Sequence, residues 1–165
     1  MKPFSISDIK IRTELQPGDF GYLVYLHGKL YSKEYQFGNV FESYVAESLL
    51  EFYKNYNPET NRVWVCEHDQ KMIGFVALMN RGTTAQLRYF IIEPAYRGIG
   101  LGKKLMELFM DFLKSCGYLG AYLLTTSELT TAASLYTRHG FIRTEEKYST
   151  AFGKPLIEHR YELNL

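Results

Sequence analysis

Residues 86–105, QLRYFIIEPAYRGIGLGKKL, constrain this chain more than any other run. The first half alternates Leu87, Tyr89 and Ile91 with Arg88 and Phe90 and closes on adjacent Ile91 and Ile92, the pattern of a strand. Pro94 ends that strand, because it has no amide hydrogen to give a sheet ladder. Gly98, Gly100 and Gly102 follow at every second position, and an amphipathic helix begins. Glycines at a strand-to-helix junction let a ligand approach exposed backbone N–H groups, and the helix N-terminus adds partial positive charge. The run therefore predicts a pyrophosphate cradle. Its spacing excludes the two commonest kinds. A Walker A loop, GxxxxGK[ST], needs glycine where Arg97 stands and serine or threonine where Lys104 stands. A dinucleotide fingerprint needs GxGxxG in the first βα unit, whereas here the register is GxGxG and late in the chain.

Composition narrows the partners. Lysine plus arginine (19) nearly balances aspartate plus glutamate (18), so no field is built to hold nucleic acid or an anionic membrane. The opening MKPFSISDIK has no apolar signal-type core, and no apolar run approaches spanning length, so a cytoplasmic address is expected. Cys66 and Cys116 have neither metal nor CxxC spacing and read as buried thiols; no metal site is expected. Tyrosine is abundant (14) and crowds residues 22–56, where the rings serve either a tyrosine-rich core or the lining of a pocket.

Around the central run the pattern reads β-α-α-β-β-β-α-β-α-β-β, a single α/β (α+β) domain over residues 1–165 with a mixed, mostly antiparallel sheet. A first strand is expected over 6–15, then a helix capped by Asp19 with Phe20, Leu23, Val24, His27, Leu30, Tyr31 and Glu34 on one face. Asn39 is placed to cap a second helix over 40–56, with Phe41, Tyr44, Val45, Ser48 and Phe52 inward. A hairpin over 62–67 and 72–80 precedes the central strand; a helix ended by Gly117, a strand over 121–126, a helix over 129–139 and two strands over 141–148 and 156–163 complete the order.

The sequence R-G-x-G-x-G after P-x-[YF]-R, with Leu135-Tyr136 to Gly140-Phe141 about 35 residues later, resembles the GNAT acyl-CoA acyltransferases over nearly the whole chain. Residues 27–37, HGKLYSKEYQF, and the ending FGKPLIEHRYELNL resemble more closely the GNAT domains fused behind MarR-type DNA-binding domains. The chain is read as a free-standing relative of these, without DNA binding.

The resemblance implies acetyl-CoA as co-substrate, with the pantetheine arm along Phe90, Ile91 and Ile92. A free N–H there would face the thioester oxygen as an oxyanion hole. Arg97, Gly98, Ile99, Gly100, Leu101, Gly102 and Lys103 would hold the pyrophosphate, mostly through backbone amides. Truncating Ile99 or Leu101 is accordingly expected to matter little. Tyr136 matches the family's general acid, although it also shares a helix face with Ala132 and Leu135 and would serve there as packing. Many family members carry asparagine seven residues before this tyrosine. Here Leu129 stands in that place, with Ser127 or Thr130 as candidate replacements.

The acceptor amine must lose a proton before it attacks, since an amine with a pKa of about 10.4 is protonated at neutral pH. Glu34 is the leading base, with His27 and Glu42 behind it, and His27, Tyr31 and Glu42 are placed in the acceptor pocket. Taken singly, His27 and Glu34 are as well read as structural hydrogen-bonding groups. The expected activity is direct transfer of acetyl to the amine of a small metabolite or amino-acid-like acceptor. The alternatives are a peptide N-terminus or lysine as acceptor, or a non-catalytic acyl-CoA sensor. The resemblance also allows a homodimer.

Overall fold

Eight consecutive buried residues, Met72 to Met79, form the middle of the sheet in a computed structural model that describes residues 4–165. Phe75, Ala77 and Met79 enter one core, while Val76 and Leu78 enter another on the opposite face. The sheet is therefore covered on both sides, which is why its central strands lack polar alternation. The elements are β1 (Lys10–Arg12), α1 (Asp19–Tyr35), α2 (Asn39–Lys54), β2 (Arg62–His68), β3 (Lys71–Arg81), β4 (Thr84–Ile92), α3 (Leu101–Ser115), β5 (Gly120–Thr126), α4 (Thr130–Arg138), β6 (Ile142–Ser149) and β7 (Leu156–Asn164). This is the expected order. The strands lie side by side as β1-β2-β3-β4-β5-β7-β6, and every pair is antiparallel except β4 with β5.

Helices α1 and α2 bury Leu23, Leu26, Phe41, Val45, Leu49 and Phe52 against one face. Helix α3 buries Leu101, Leu105, Met106, Phe109 and Leu113 against the other. Ser48 is a buried polar residue on the α2 stripe, and it is satisfied: it accepts from the Tyr89 hydroxyl at 2.9 Å and donates to the Val45 carbonyl at 2.9 Å.

Four expectations need correction. Residues 6–8 form a 3₁₀ turn, not the start of a strand, because Ser5 and Asp8 bond to each other's backbone and capture it locally. Asp19 is the first residue of α1 and not its cap. Its carboxylate accepts from the Arg12 guanidinium at 2.7 and 2.8 Å and from the Gln16 amide at 2.7 Å, tying β1 to the helix. Asn39 likewise lies inside α2, with Gly38 at the cap. Cys66 is fully buried, and burial pushes its thiol up to about 12, but Cys116 at the end of α3 is only half-buried.

Leu101 carries the clearest consequence. Its side chain is 1% exposed within the α3 core, so its truncation removes packing whatever its amide does. Leu101→Ala is expected to lower unfolding free energy by about 2–5 kcal/mol, read as a fall in the urea midpoint; an unchanged midpoint contradicts the core assignment.

Candidate active site

Strands β4 and β5 pair only at their beginnings, Ala85 with Ala121 and Gln86 with Tyr122. Beyond this point β5 runs on with β7 as far as Thr126 opposite Glu158, while β4 stays with β3 as far as Ile92 opposite Gly74. The two strands diverge and leave a gap. A bulge on the β3 side accompanies the divergence: Phe75 faces Ile91 and Ala77 faces Arg88, so Tyr89 and Phe90 together oppose Val76. Tyr89 has a left-handed backbone, φ +56°, which is costly for a bulky residue. The Glu93 amide donates to the Ile73 carbonyl at 2.8 Å. By strand alternation the backbone of Ile92, and of Phe90 two residues before it, turns away from β3 into the gap. Arg97 Nε donates to the Ile92 carbonyl at 3.0 Å, which agrees with that direction.

The gap continues into a cleft of about 1310 Å³ to its open mouth. Phe90, Ile91 and Ile92 form its strand side, and Gly98, Gly100, Gly102 and Lys103 its helix side. Gly98 (φ +79°) and Gly100 (φ +89°) adopt left-handed backbone that a side chain resists, and Gly100 caps α3. The Lys104 amide makes the first helical bond, to the Gly100 carbonyl at 3.0 Å. The amides of Leu101, Gly102 and Lys103 thus have no carbonyl of the helix to bond and carry its positive dipole end. A Cβ on Gly102 would come within 3.3 Å of the Leu135 side chain, so α3 and α4 leave little room for a larger residue there. Arg97, Lys103 and Arg138 supply side-chain cations to this cleft. The side chains of Ile99 and Leu101 do not line it.

A second cavity, about 820 Å³ to its mouth, adjoins the cleft. Aromatic rings of Tyr31, Phe37, Phe41, Tyr89 and Phe152 wall it, and Tyr136 reaches it from α4. The two spaces share Tyr31, Phe90 and Leu129. Tyr136 is 5% exposed, and its hydroxyl has no hydrogen-bond partner among the described residues. Burial holds its phenol well above the usual range, and the nearby Tyr31 phenol adds to the shift. The proton therefore stays on Tyr136 throughout the neutral range.

Of the residues expected on the acceptor side, only Tyr31 lines this cavity. Glu34 lies in the other cleft, and both its oxygens accept from Arg97, at 2.8 and 3.0 Å. Its position at the end of α1 lets it orient the guanidinium, which raises the Arg97 pKa. Glu42 packs over Gly28 on α1, where a Cβ would meet its carboxylate, and faces neither space. His27 is fully buried behind Tyr31, with rings stacked at 5.6 Å, and its Nδ1–H donates to the Leu23 carbonyl at 2.9 Å. Burial lowers its pKa to about 4, so the ring is neutral. Of the two replacements considered for the asparagine, Thr130 lines the cofactor-side cleft and Ser127 does not.

Sequence reasoning missed Arg88, Thr125, Thr126, Phe152 and Glu158, all of which line the second cavity. Strand alternation does not find Arg88, because the bulge sets it opposite Ala77 on the face of Tyr89 and Ile91, while Phe90 packs on the other face. Glu158 depends on the β5–β7 register, which no local pattern encodes.

The pattern of the Acetyltransferase (GNAT) domain matches residues 59–143. The uncharacterized N-acetyltransferase YjgM of Escherichia coli is 31% identical over 98 residues, 57% of this chain and 59% of that protein. The chain thus spans less than two thirds of this curated relative. An acetyltransferase from Streptococcus agalactiae superposes with a TM-score of 0.76 at 21% identity, over 97% of this chain and 100% of that one. The spermidine N-acetyltransferase of Vibrio cholerae, solved with CoA and spermine, superposes at 0.70 and 24% identity, over 96% of each chain. At these identities the superpositions speak for the fold.

The neutral state of His27 sets a pH dependence. In the unfolded chain this histidine takes a proton below about 6.5, but in the folded chain only below about 4. Its contribution to stability is complete above the first value and is lost as pH falls to the second, at about 1.4 kcal/mol per unit. In urea unfolding between these two pH values, His27→Gln is expected to show a shallower fall than the parent; equal slopes would remove the assignment.

Proposed function

The chain belongs to the GNAT acetyltransferase family, and from that premise we propose that it transfers acetyl directly from acetyl-CoA to the amine of a small-molecule acceptor. The observation that carries this reading is the junction at Tyr31, Phe90 and Leu129, where the glycine-cradled cleft meets the aromatic cavity. A thioester lying along Phe90 and a nucleophile held in the cavity would meet there.

The pyrophosphate of acetyl-CoA sits on the free amides at the start of α3, with Arg97, Lys103 and Arg138 around it. Glu34 is a positioning residue for Arg97 in this reading, not the base. The backbone of Phe90 and Ile92, turned into the gap, pairs with the pantetheine and donates to the thioester oxygen as it gains negative charge. The amine nitrogen forms a bond to the thioester carbon, and the carbon–sulfur bond breaks as the tetrahedral intermediate collapses. Glu158, a carboxylate lining the acceptor cavity, takes the proton from the ammonium. Tyr136 directs its hydroxyl to the departing sulfur. Its raised pKa makes the phenol a persistent hydrogen-bond donor, and its proton passes as the thiolate forms. The second proton, shed by the nitrogen as the tetrahedral intermediate collapses, returns to the Tyr136 phenolate, so the products are an N-acetyl amine and CoA with one proton left on Glu158. The segments 27–37 and 152–165, which carry the closer family likeness, meet at this cavity through Phe37 and Phe152, 5.6 Å between ring centres. Both segments therefore reach the acceptor cavity, and 27–37 also supplies Tyr31 and Glu34 to the cofactor cleft.

Two substitutions separate cofactor binding from chemistry. In Gly100→Val, calorimetry is expected to find no acetyl-CoA binding while the far-ultraviolet spectrum stays native; normal binding would sink the cradle assignment. Tyr136→Phe keeps the ring and removes a hydroxyl that bonds to no described residue. Turnover in a thiol-release assay is expected to fall by about 10²–10⁴ with the acetyl-CoA Kd nearly unchanged. Unaltered turnover in this variant removes the acid role, and absence of turnover in the parent across amines, amino acids and peptides favours a sensor.

A further inference from the structure

The acceptor cavity holds two opposite charges that do not meet. Arg88 lines it from β4 and Glu158 from β7, and neither has an ion-pair partner among the described residues. Arg88 is half-buried. Its guanidinium lies over the rings of Tyr89 and Tyr44, 5.0 and 5.7 Å from their centres, and bonds only the Tyr44 hydroxyl, at 3.0 Å. A guanidinium presents five donors in a fork that matches a carboxylate, and most of this fork is unused. Other arginines near the sheet differ: Arg12 is bound by Asp19 and Glu67, Arg97 by Glu34 and Arg160 by Glu162.

The second observation lies on the facing strand. The hydroxyls of Thr125 and Thr126 have no hydrogen-bond partner and are the only unpaired side-chain polar atoms wholly shielded from solvent among the described residues. Both residues line the same cavity. Buried unpaired hydroxyls are costly in a finished core and serve a purpose where a ligand completes them. The same cavity is lined by the rings of Tyr31, Phe37, Phe41 and Phe152, which form a contiguous aromatic cluster with centre-to-centre spacings of 4.7–5.8 Å.

We infer that the acceptor is a zwitterionic α-amino acid with a large apolar or aromatic side chain, its carboxylate on Arg88 and its ammonium on Glu158. The inference rests on the acetyltransferase reading for the reaction but not for the binding site. A flexible polyamine would leave Arg88 facing like charge, and a simple arylalkylamine would leave it unpaired. An amino acid satisfies both charges, places its side chain among the rings, and presents its nitrogen to Glu158.

The test compares L-phenylalanine, L-phenylalaninamide, phenethylamine and L-alanine as acceptors at saturating acetyl-CoA, with kcat/KM from thiol release. The amide and the amine lack the carboxylate, and alanine lacks the ring. Phenylalanine is expected to exceed each by about tenfold or more, the scale of one charged hydrogen-bonding contact or one buried side chain. In Arg88→Gln its advantage over the amide should largely vanish, whereas its advantage over alanine should persist. An amide or amine used as well as phenylalanine overturns the proposal, and the parent alone decides this if the variant does not fold. Calorimetric titration of the same compounds into the CoA-bound protein separates the two readings. The same ranking in binding without turnover contradicts acetyl transfer and supports the site. Turnover of another amine without phenylalanine binding contradicts the site and leaves acetyl transfer standing.

Discussion

The proposed site depends on two strands that pair and then stop pairing. Strand β4 leaves β5 after Gln86, and the backbone that would have closed the ladder is open to a ligand instead. Such a break is expensive unless each strand is held from its other side. Here β5 pairs with β7 along its whole length, Gly120 opposite Asn164 through Thr126 opposite Glu158. The fit is tight: a Cβ on Gly120 would reach 2.2 Å from the Leu163 carbonyl oxygen. On the other side, β4 is pinned to β3, and the bulge at Tyr89 and Phe90 adds local twist that carries β4 away. The left-handed backbone of Tyr89 is strained by roughly 1–3 kcal/mol. Its side chain offsets that cost through the bond to Ser48 and edge contacts with Phe52, Phe75 and His27. The core under α1 and α2 thus holds the gap open. A substitution there that weakens the seat of Tyr89 would be felt at the site without touching it.

The cleft and the cavity use opposite electrostatic strategies. In the cleft Arg97 is fixed before any ligand arrives, because Glu34 takes two of its N–H groups and the Ile92 carbonyl a third. The Arg97–Glu34 pair carries no net charge but gives the guanidinium a set position, a sensible exchange if backbone amides supply much of the binding. In the cavity Arg88 and Glu158 have no ion-pair partner among the described residues. Charges left unpaired beside apolar rings are costly, and a ligand that pairs both recovers that cost as selectivity. The difference fits a common cofactor on one side and a discriminated acceptor on the other.

Much of this was legible in the sequence where local patterns act alone. The glycine register, the element order and the strand ending at Pro94 depend on near neighbours, and the structure follows them. The failures came where a side chain was claimed by something distant. Glu34 sits on an apolar helix face, as its position suggested, but its partner is Arg97, 63 residues away. His27 lies on the same face and is consumed by a carbonyl one turn earlier, which spacing permits but does not require. Asp19 resembled a cap and instead joins Arg12 across a turn. Glu158 and the two threonines became visible only once β5 and β7 were set in register. A strand shows which residues share a face, but not which strand it will lie beside.

Leu129 shows how the departure from the family pattern belongs to the same design. It replaces a polar residue at the junction of cleft and cavity, where it packs as an apolar wall shared by both. Tyr31 and Phe90 form the rest of that wall, so the reacting atoms would meet between two rings and an isobutyl group. Low polarity there strengthens the pull of any remaining dipole on a developing charge, since fewer competing groups screen it. The donors left at or beside the junction are the strand amides and the hydroxyls of Tyr31 and Tyr136, whose raised pKa values both reflect burial. Cofactor contacts that an asparagine would supply can fall to Thr130 and Thr131 at the start of α4, both of which face the cleft. The substitution therefore moves polarity from the point of reaction to its rim. A dry junction favours an acceptor whose charges lie away from the attacking nitrogen's path, and a carboxylate held on Arg88 across the aromatic cavity meets that condition.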